Sequence, residues 1–452
     1  MPLPYTHFVR TSTIVGAPAD NLTGTAPGRD PLGCDLSNAT YDHTGGGSGE
    51  RQLTAASGTP FASVQAGDYI WLCNSGGGVA DGLYEIASVP SSTVILLVAD
   101  YGLTADSTGD VDSSRGPWAT LQYALDQMTT SLDELVICDD GETSGVWQPS
   151  AQLDIDQGAV SAPSAPVTIR GGNSRGVVDG TVPEINGSSL PASTNLVVFA
   201  GDTDYRRFID LRFTAGKYHN VYETANTSQH IHWIRCRFDH AAQSGMAFRG
   251  LDTYYIDCEF DNNGACGIQS DTAGRNLSPR STFLRCRIHD NGSIGFILAY
   301  TTNMQQCLIY DNGSHGVSFS GRADYAIFDG CVFFGNTGSG INGSGASGGP
   351  YPLSVTNCVF RSNGAYGISL SSITPPAGTS GVYFAEIDYC CFSNNTSGAT
   401  SGATKNGQMG SSSGDHNVYS DPLFTSETDG SEDFRPQGSS PLIDAGISVP
   451  VK

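Results

Sequence analysis

Charged residues alternate along four short segments whose central residue is apolar or cysteine. Asp210 and Arg212 flank Leu211, Arg235 and Arg237 flank Cys236, Asp257 and Glu259 flank Cys258, and Arg285 and Arg287 flank Cys286. Stacked on one another, the segments would align two columns, Asp210–Arg235–Asp257–Arg285 and Arg212–Arg237–Glu259–Arg287. Carboxylates beside guanidinium groups can serve two ends. A protonated and an ionised carboxyl in unlike surroundings perform general acid–base cleavage of a glycosidic bond. Columns of alternating sign instead pair across neighbouring segments, each pair contributing about 0.2–1 kcal/mol. Alternation favours the second use, because it gives acid and base equivalent surroundings where catalysis needs different ones.

Other residues invite the same weighing. Asp290-Asn291-Gly292 and Asp311-Asn312-Gly313 hold residue types found in calcium and acid–base sites, but the same types make tight corners. His315, between Ser314 and Gly316, reads as a corner residue too. Asp429-Gly430-Ser431-Glu432-Asp433 and the group Asp106, Asp110 and Asp112 could gather a cation, though acidic loops of this kind are ordinarily just solvated. No Cys/His spacing suits zinc and no phosphate-binding glycine loop precedes a helix, so neither a metal nor a cofactor is expected. Sugar rings stack on outward aromatic side chains, and Tyr218, Tyr222, Trp233, Tyr254, Tyr255, Tyr300, Tyr310 and Tyr325 are spread along this region. Of these, Trp233, Tyr254, Tyr255, Tyr300 and Tyr310 are the expected glycan contacts.

A repeat must position all of these groups. Cys236, Cys258, Cys286, Cys307, Cys331 and Cys358 each have an apolar residue two positions on and a glycine nine positions on, from Gly245 to Gly367. Another apolar residue follows each glycine. From the second unit onward an asparagine stands five positions after the cysteine: Asn263, Asn291, Asn312, Asn336 and Asn363. Fixed offsets within a unit and variable length between units describe one supersecondary element stacked many times. Ile234-x-Cys236-x-Phe238 and Ile256-x-Cys258-x-Phe260 alternate with a period of two, the signature of a short strand with one apolar face. The expected fold is all-β: a right-handed parallel β-helix with cysteine and asparagine ladders repeating at about 4.8 Å.

Composition agrees. Of 452 residues 57 are glycine, as corner-rich β structure requires. A net charge of −23 with 22 Lys+Arg argues against nucleic-acid partners and anionic membrane surfaces. One inward cysteine per unit is the pattern of a small buried hydrophobe, so most of the 12 cysteines are expected as reduced thiols. Cys34, Cys73, Cys138 and Cys390-Cys391 are too isolated to pair by inspection. The opening residues Met1-Pro2-Leu3-Pro4-Tyr5 carry no secretory signal, and no apolar run is long enough to span a membrane. Folding in a reducing cytoplasm is therefore expected.

Four regions follow. Residues 1–104 lack the repeat and hold three strand-like runs, 67–73, 82–89 and 93–98, suggesting a small antiparallel β domain with an extended arm, a candidate docking module. Residues 105–116 read as an acidic linker. Residues 117–420 hold the β-helix, opened by an amphipathic helix with Trp118, Leu121, Leu125 and Met128 on one face to cover the exposed strand edges. Residues 421–452 form a closing segment.

The opening Pro117-Trp118-Ala119-Thr120-Leu121-Gln122, the Cys-x-Phe-x-x-Asn-Gly units, and the close at Asp421-Pro422-Leu423-Phe424 and Ser440-Pro441-Leu442-Ile443-Asp444-Ala445-Gly446 together resemble the pectin-lyase-like β-helix superfamily. The opening and close are similar to those of bacterial and phage members. The resemblance implies the fold over residues 115–447 and leaves function open, since that superfamily includes lyases, hydrolases, epimerases, adhesins and tailspikes. Polygalacturonase motifs beyond a faint likeness at His315 are missing, as are the clustered calcium-binding aspartates of pectate lyases. Two functions remain. One is a non-enzymatic virion-associated structural protein of spike or decoration type, docked to other virion proteins through its N-terminal domain and contacting surface polysaccharide; likeness to tailspikes would imply a homotrimer. The alternative is a polysaccharide lyase or glycoside hydrolase of the tailspike-depolymerase kind.

Overall fold

The computed structural model describes residues 6–9, 36–42, 51–55, 61, 66, 69–73, 82–98, 107–112, 121–128, 134–139, 146–155, 166–173, 178–199, 204–224, 230–249, 252–270, 280–298, 301–319, 326–343, 353–370, 385–401, 416–428, 430–443 and 445. Parallel sheets of 11, 10 and 10 strands make the β-helix, and antiparallel strands close a small barrel. Two compact units divide the chain. The first holds residues 1–149, 153–186 and 203–212, the second residues 150–152, 187–202 and 213–452.

In the first unit, Leu36–Asp42, Arg51–Thr54, Val94–Leu97, Gly82–Ser91, Tyr69–Cys73 and Ser107–Asp112 close the barrel in that order. Its core is Tyr41, Leu53, Phe61, Tyr84, Ile86, Ile95 and Leu97. The antiparallel strands expected at 67–98 are present, joined by others with little apolar alternation to announce them. Ser107–Asp112, which reads in sequence as an acidic linker, pairs with Leu36–Asp42 and Tyr69–Cys73. A closing strand needs its backbone groups more than its side chains. Thr6–Val9, within the stretch assigned to the N-terminal domain, pairs instead in parallel with Glu134–Cys138.

The helix runs from Leu121 to Gln127 and buries Leu121, Ala124, Leu125 and, just beyond it, Met128. Gln122 shows how it covers a strand. Its amide donates to the Asp154 carbonyl at 2.8 Å and accepts from the Asp154 N–H at 2.8 Å, supplying the bonds a neighbouring strand would have made.

In the second unit each full turn has three strands. Thr253–Ile256, Glu259–Asp261 and Ile268–Ser270 form one turn, and Arg280–Leu284, Arg287–His289 and Phe296–Leu298 the next. They pair in register, Tyr255 with Phe283, Phe260 with Ile288 and Ile268 with Phe296. The cysteine motif is not one continuous strand, as its alternation suggests. Arg235, Asp257 and Arg285 take left-handed backbone angles, with φ of 52°, 54° and 52°, and turn the chain between two strands. That corner consumes one residue and shifts the in–out parity. Tyr255 therefore points inward, while Ile256 is only half-buried before Cys258 returns inside.

Two polar devices hold the turns in line. Asn263 donates its amide to Asn291 at 2.9 Å, Asn291 to Asn312 at 3.0 Å, Asn312 to Asn336 at 2.9 Å, Asn336 to Asn363 at 3.0 Å, and Asn363 to Asn395 at 2.8 Å. Each amide also donates to a backbone carbonyl of the preceding turn, Asn312 to Ile288 at 3.1 Å for example. The cysteine thiols do likewise: Cys258 donates to Trp233 O, Cys286 to Tyr255 O, Cys307 to Phe283 O and Cys358 to Phe328 O, at 3.3 to 3.6 Å. Ten cysteines from Cys138 to Cys391 are free and buried, and Cys390 joins the column through Val355 O. Between these columns run aromatic stacks: Phe238 on Phe260 at 4.8 Å, Phe333 on Phe360 at 4.7 Å and Phe360 on Phe392 at 5.1 Å.

Asn312→Ala leaves buried groups on both neighbouring turns without partners, each costing about 1–3 kcal/mol. Its denaturation midpoint should fall well below that of an exposed-site control such as Ser439→Ala. The ladder thiols should resist alkylation in the native protein and react after unfolding, as mass spectrometry would read directly.

Candidate functional site

The outer face of one sheet in the second unit carries the charged residues. In the strands Arg237–Asp239, Glu259–Asp261, Arg287–His289, Leu308–Tyr310, Val332–Phe334 and Val359–Arg361 the middle residue enters the core. The first and third residues then face outward. Register aligns Arg237, Glu259, Arg287, Leu308, Val332 and Val359 in one row. It aligns Asp239, Asp261, His289, Tyr310, Phe334 and Arg361 in the other. The face is thus ionic over its first three strands and apolar over the next.

The closing segment covers the apolar half. Phe424, Phe434 and Leu442 pack over Tyr310, Phe334 and Val359. Arg361, nearly buried, anchors the cover by ion pairs with Asp421 at 3.0 Å and with Glu427.

On the ionic half, Arg237 is the hub. It grips Asp261 with two bonds, at 3.0 and 2.7 Å, and meets Asp239 at 3.0 Å. Both aspartates are buried. Glu259 receives His289 Nε2 at 2.9 Å, with Arg287 at 3.6 Å and Arg237 at 3.8 Å. The other ring nitrogen of His289 meets Asp290 at 2.7 Å, and the ring lies flat on Tyr310 at 4.5 Å. Arg287 donates to the Tyr310 hydroxyl at 2.8 Å.

These contacts set the ionisation. The His289 bond, with Arg237 and Arg287 behind it, holds Glu259 below the usual carboxylate range despite burial. Burial alone would lower His289, but the hydrogen bonds to Glu259 and Asp290 outweigh it and raise its pKa. Burial pushes Tyr310 up to about 12. Ligand atoms of Glu259, Asp261 and His289 lie within 4.8 Å of one another, close enough to share a cation. Both ring nitrogens of His289 already meet carboxylates, and Arg237 and Arg287 already approach Asp261 and Glu259, so a cation would have to displace these contacts.

The two columns drawn from the sequence are realised in part. Arg285 pairs with Asp257 at 2.7 and 2.8 Å. Arg237 and Arg287 flank Glu259, whereas Arg212 pairs with Glu184 at 2.7 Å. The sequence reading missed Asp239, Asp261 and His289. They stand one residue beyond the inward Phe238, Phe260 and Ile288, and carrying the alternation one step further would have found them.

Of the expected glycan contacts, Trp233, Tyr255 and Tyr310 are buried, which corrects their outward placement. The left-handed corner turns Trp233 and Tyr255 inward, and Phe434 covers Tyr310. Tyr254 is 37% exposed and Tyr218 42%. Tyr300 and Tyr325 lie outside the described residues. Asp290 and Asp311 are left-handed corner residues, and His315 accepts the Ser339 N–H at 2.9 Å.

His289 binds its proton more tightly folded than unfolded, where the reference value is about 6.5. Its stabilising contribution is complete below that value and is lost as pH rises through the folded pKa. Unfolding midpoints should therefore decline over that window in the native chain, and His289→Gln should flatten this part of the profile.

Comparison with known proteins agrees with this architecture. Residues 223–375 match the family model described as a right handed beta helix region. No curated protein matches the chain. Among solved structures, pectate lyase Pel9A is similar over 74% of this chain and 87% of its own, with a TM-score of 0.51 and 16% identity. ORF18 of Geobacillus virus E2 is similar over 62% of this chain and 54% of its own, at a TM-score of 0.43 and 13% identity. An alginate lyase from Paenibacillus sp. str. FPU-7 is similar over 63% of this chain and 95% of its own, at 0.38 and 15%. The likeness to the pectate lyase is one of fold alone, and with the matched region and the three parallel sheets it makes the chain a right-handed parallel β-helix protein.

Proposed function

We propose that this chain is a non-catalytic, particle-borne β-helix protein. In this reading the N-terminal barrel docks onto a virion or similar assembly, and the β-helix contacts a surface polysaccharide without cutting it. The state of the ionic face is the observation that supports it. Glycoside hydrolysis needs one carboxyl kept protonated near neutral pH beside another that is ionised. Glu259 is instead held ionised, and His289 has both ring nitrogens bound to carboxylates. A face whose charged groups are paired in this way resists change, which suits a scaffold.

Free, buried thiols fit folding in a reducing host cytoplasm before assembly. The net charge of −23 disfavours nucleic acid. Among the described residues no helix is long and apolar enough to cross a membrane. One observation favours the second reading, polysaccharide cleavage. Arg287, about half exposed, stands beside Glu259 and Tyr310, where it could hold an acidic sugar near a carboxylate.

Incubation of the full chain with neutral and uronate polysaccharides separates the two. Binding without new reducing ends or unsaturated products is expected. Chain shortening that disappears in Glu259→Gln would overturn the non-catalytic reading, and absence of the chain from purified particles would overturn the docking.

A further inference from the structure

A second outward feature lies on a different sheet, around the strand Val221–Glu223. Tyr218 is among the few large side chains that are well exposed. Its ring meets the His219 ring edge-on at 4.4 Å, and His219 stacks on Tyr222 at 5.6 Å. The Arg249 guanidinium stands over the Tyr222 ring at 5.9 Å. None of these side chains takes part in the ionic face.

The backbone beneath is fixed at every step. The Tyr218 carbonyl accepts from Gln243 N at 2.8 Å, and the His219 carbonyl from Leu196 N at 3.0 Å. His219 N donates to Asn195 at 3.2 Å, while His219 Nδ1 accepts the Ser244 N–H at 3.2 Å. That last bond puts the histidine proton on Nε2 and locks the ring plane. Tyr218 is thereby an aromatic side chain held out toward solvent by a rigid stack of rings. A ring whose orientation is already fixed loses little further freedom when a ligand stacks on it.

We infer that Tyr218, backed by His219, Tyr222 and Arg249, is a stacking platform for an uncharged hexose unit of a polysaccharide. The apolar C–H face of a pyranose matches an aromatic ring, and Lys217, adjacent in sequence and half-buried, offers a polar group for its hydroxyls. Charge selects the neutral sugar. The chain carries −23 overall, which disfavours the approach of a polyuronate. This inference rests on glycan contact as the proposed function and assigns it a place and a sugar class.

The test uses the immobilised full chain with soluble neutral glucans in one arm and a polyuronate in the other. The wild type should bind a glucan and not the polyuronate. Tyr218→Ala should weaken glucan binding about tenfold or more, Tyr218→Phe should retain most of it, and Tyr419→Ala, at another exposed ring, should leave it unchanged. An unaltered thermal midpoint would show that the exposed substitution has not disturbed folding, and shifts of the Tyr218 ring signals on adding glucan to wild type give a readout free of mutation. Glucan binding that survives Tyr218→Ala, or that leaves those signals unmoved, overturns the platform while glycan contact stands. Preference for the polyuronate overturns the sugar class, and binding of no polysaccharide overturns both readings.

Discussion

A column of buried asparagine amides is the constraint on which the second unit depends. Each amide from Asn263 to Asn363 must find its neighbour on the next turn, because a buried amide without partners is costly. That requirement fixes the register of every turn against the next. Apolar stacking alone would not, since Phe and Ile columns tolerate sliding. Once the asparagines align, Cys258, Cys286 and Cys307 fall at the facing corner with their thiols directed at carbonyls of the preceding turn. The glycine that follows each asparagine from Gly264 to Gly313 sits so close to the corner below that a side chain would strike its backbone.

Register in turn builds the ionic face. Arg237 can grip both Asp239 and Asp261 only because adjacent turns present them in line. The same alignment sets His289 between Glu259 and Asp290. These bonds satisfy buried charge and keep its ionisation fixed, a balance in which removing one partner costs far more than the pair contributes. The closing segment completes the surface by covering the apolar residues that continue the same two rows, and Arg361 ties it down.

Much of this was legible in the sequence, and the rest was hidden for identifiable reasons. The ladders showed because cysteine and asparagine keep a constant offset, and stacked turns permit no other arrangement. The direction of the aromatic side chains did not show. Asp257 and Arg285 adopt a backbone conformation that glycine usually marks, and without that marker the alternation was carried straight through a corner. Trp233 and Tyr255 were consequently expected outside. Ser107–Asp112 looked like a linker because a barrel strand with few apolar side chains leaves no periodic signal. The core of the charged site escaped notice because it combines residues one step past the inward phenylalanines, where register alone brings Asp239, Asp261 and His289 together.

The central functional claim is that the ionic face is held in a fixed, non-catalytic charge state. The carboxyl carbon resonance of Glu259, followed by NMR as a function of pH in the folded chain, tests it most directly. The account predicts that Glu259 titrates below the ordinary glutamate value of about 4.3 and stays ionised throughout the neutral range. A Glu259 that still carries its proton at about pH 6, the behaviour of a general acid, would contradict it.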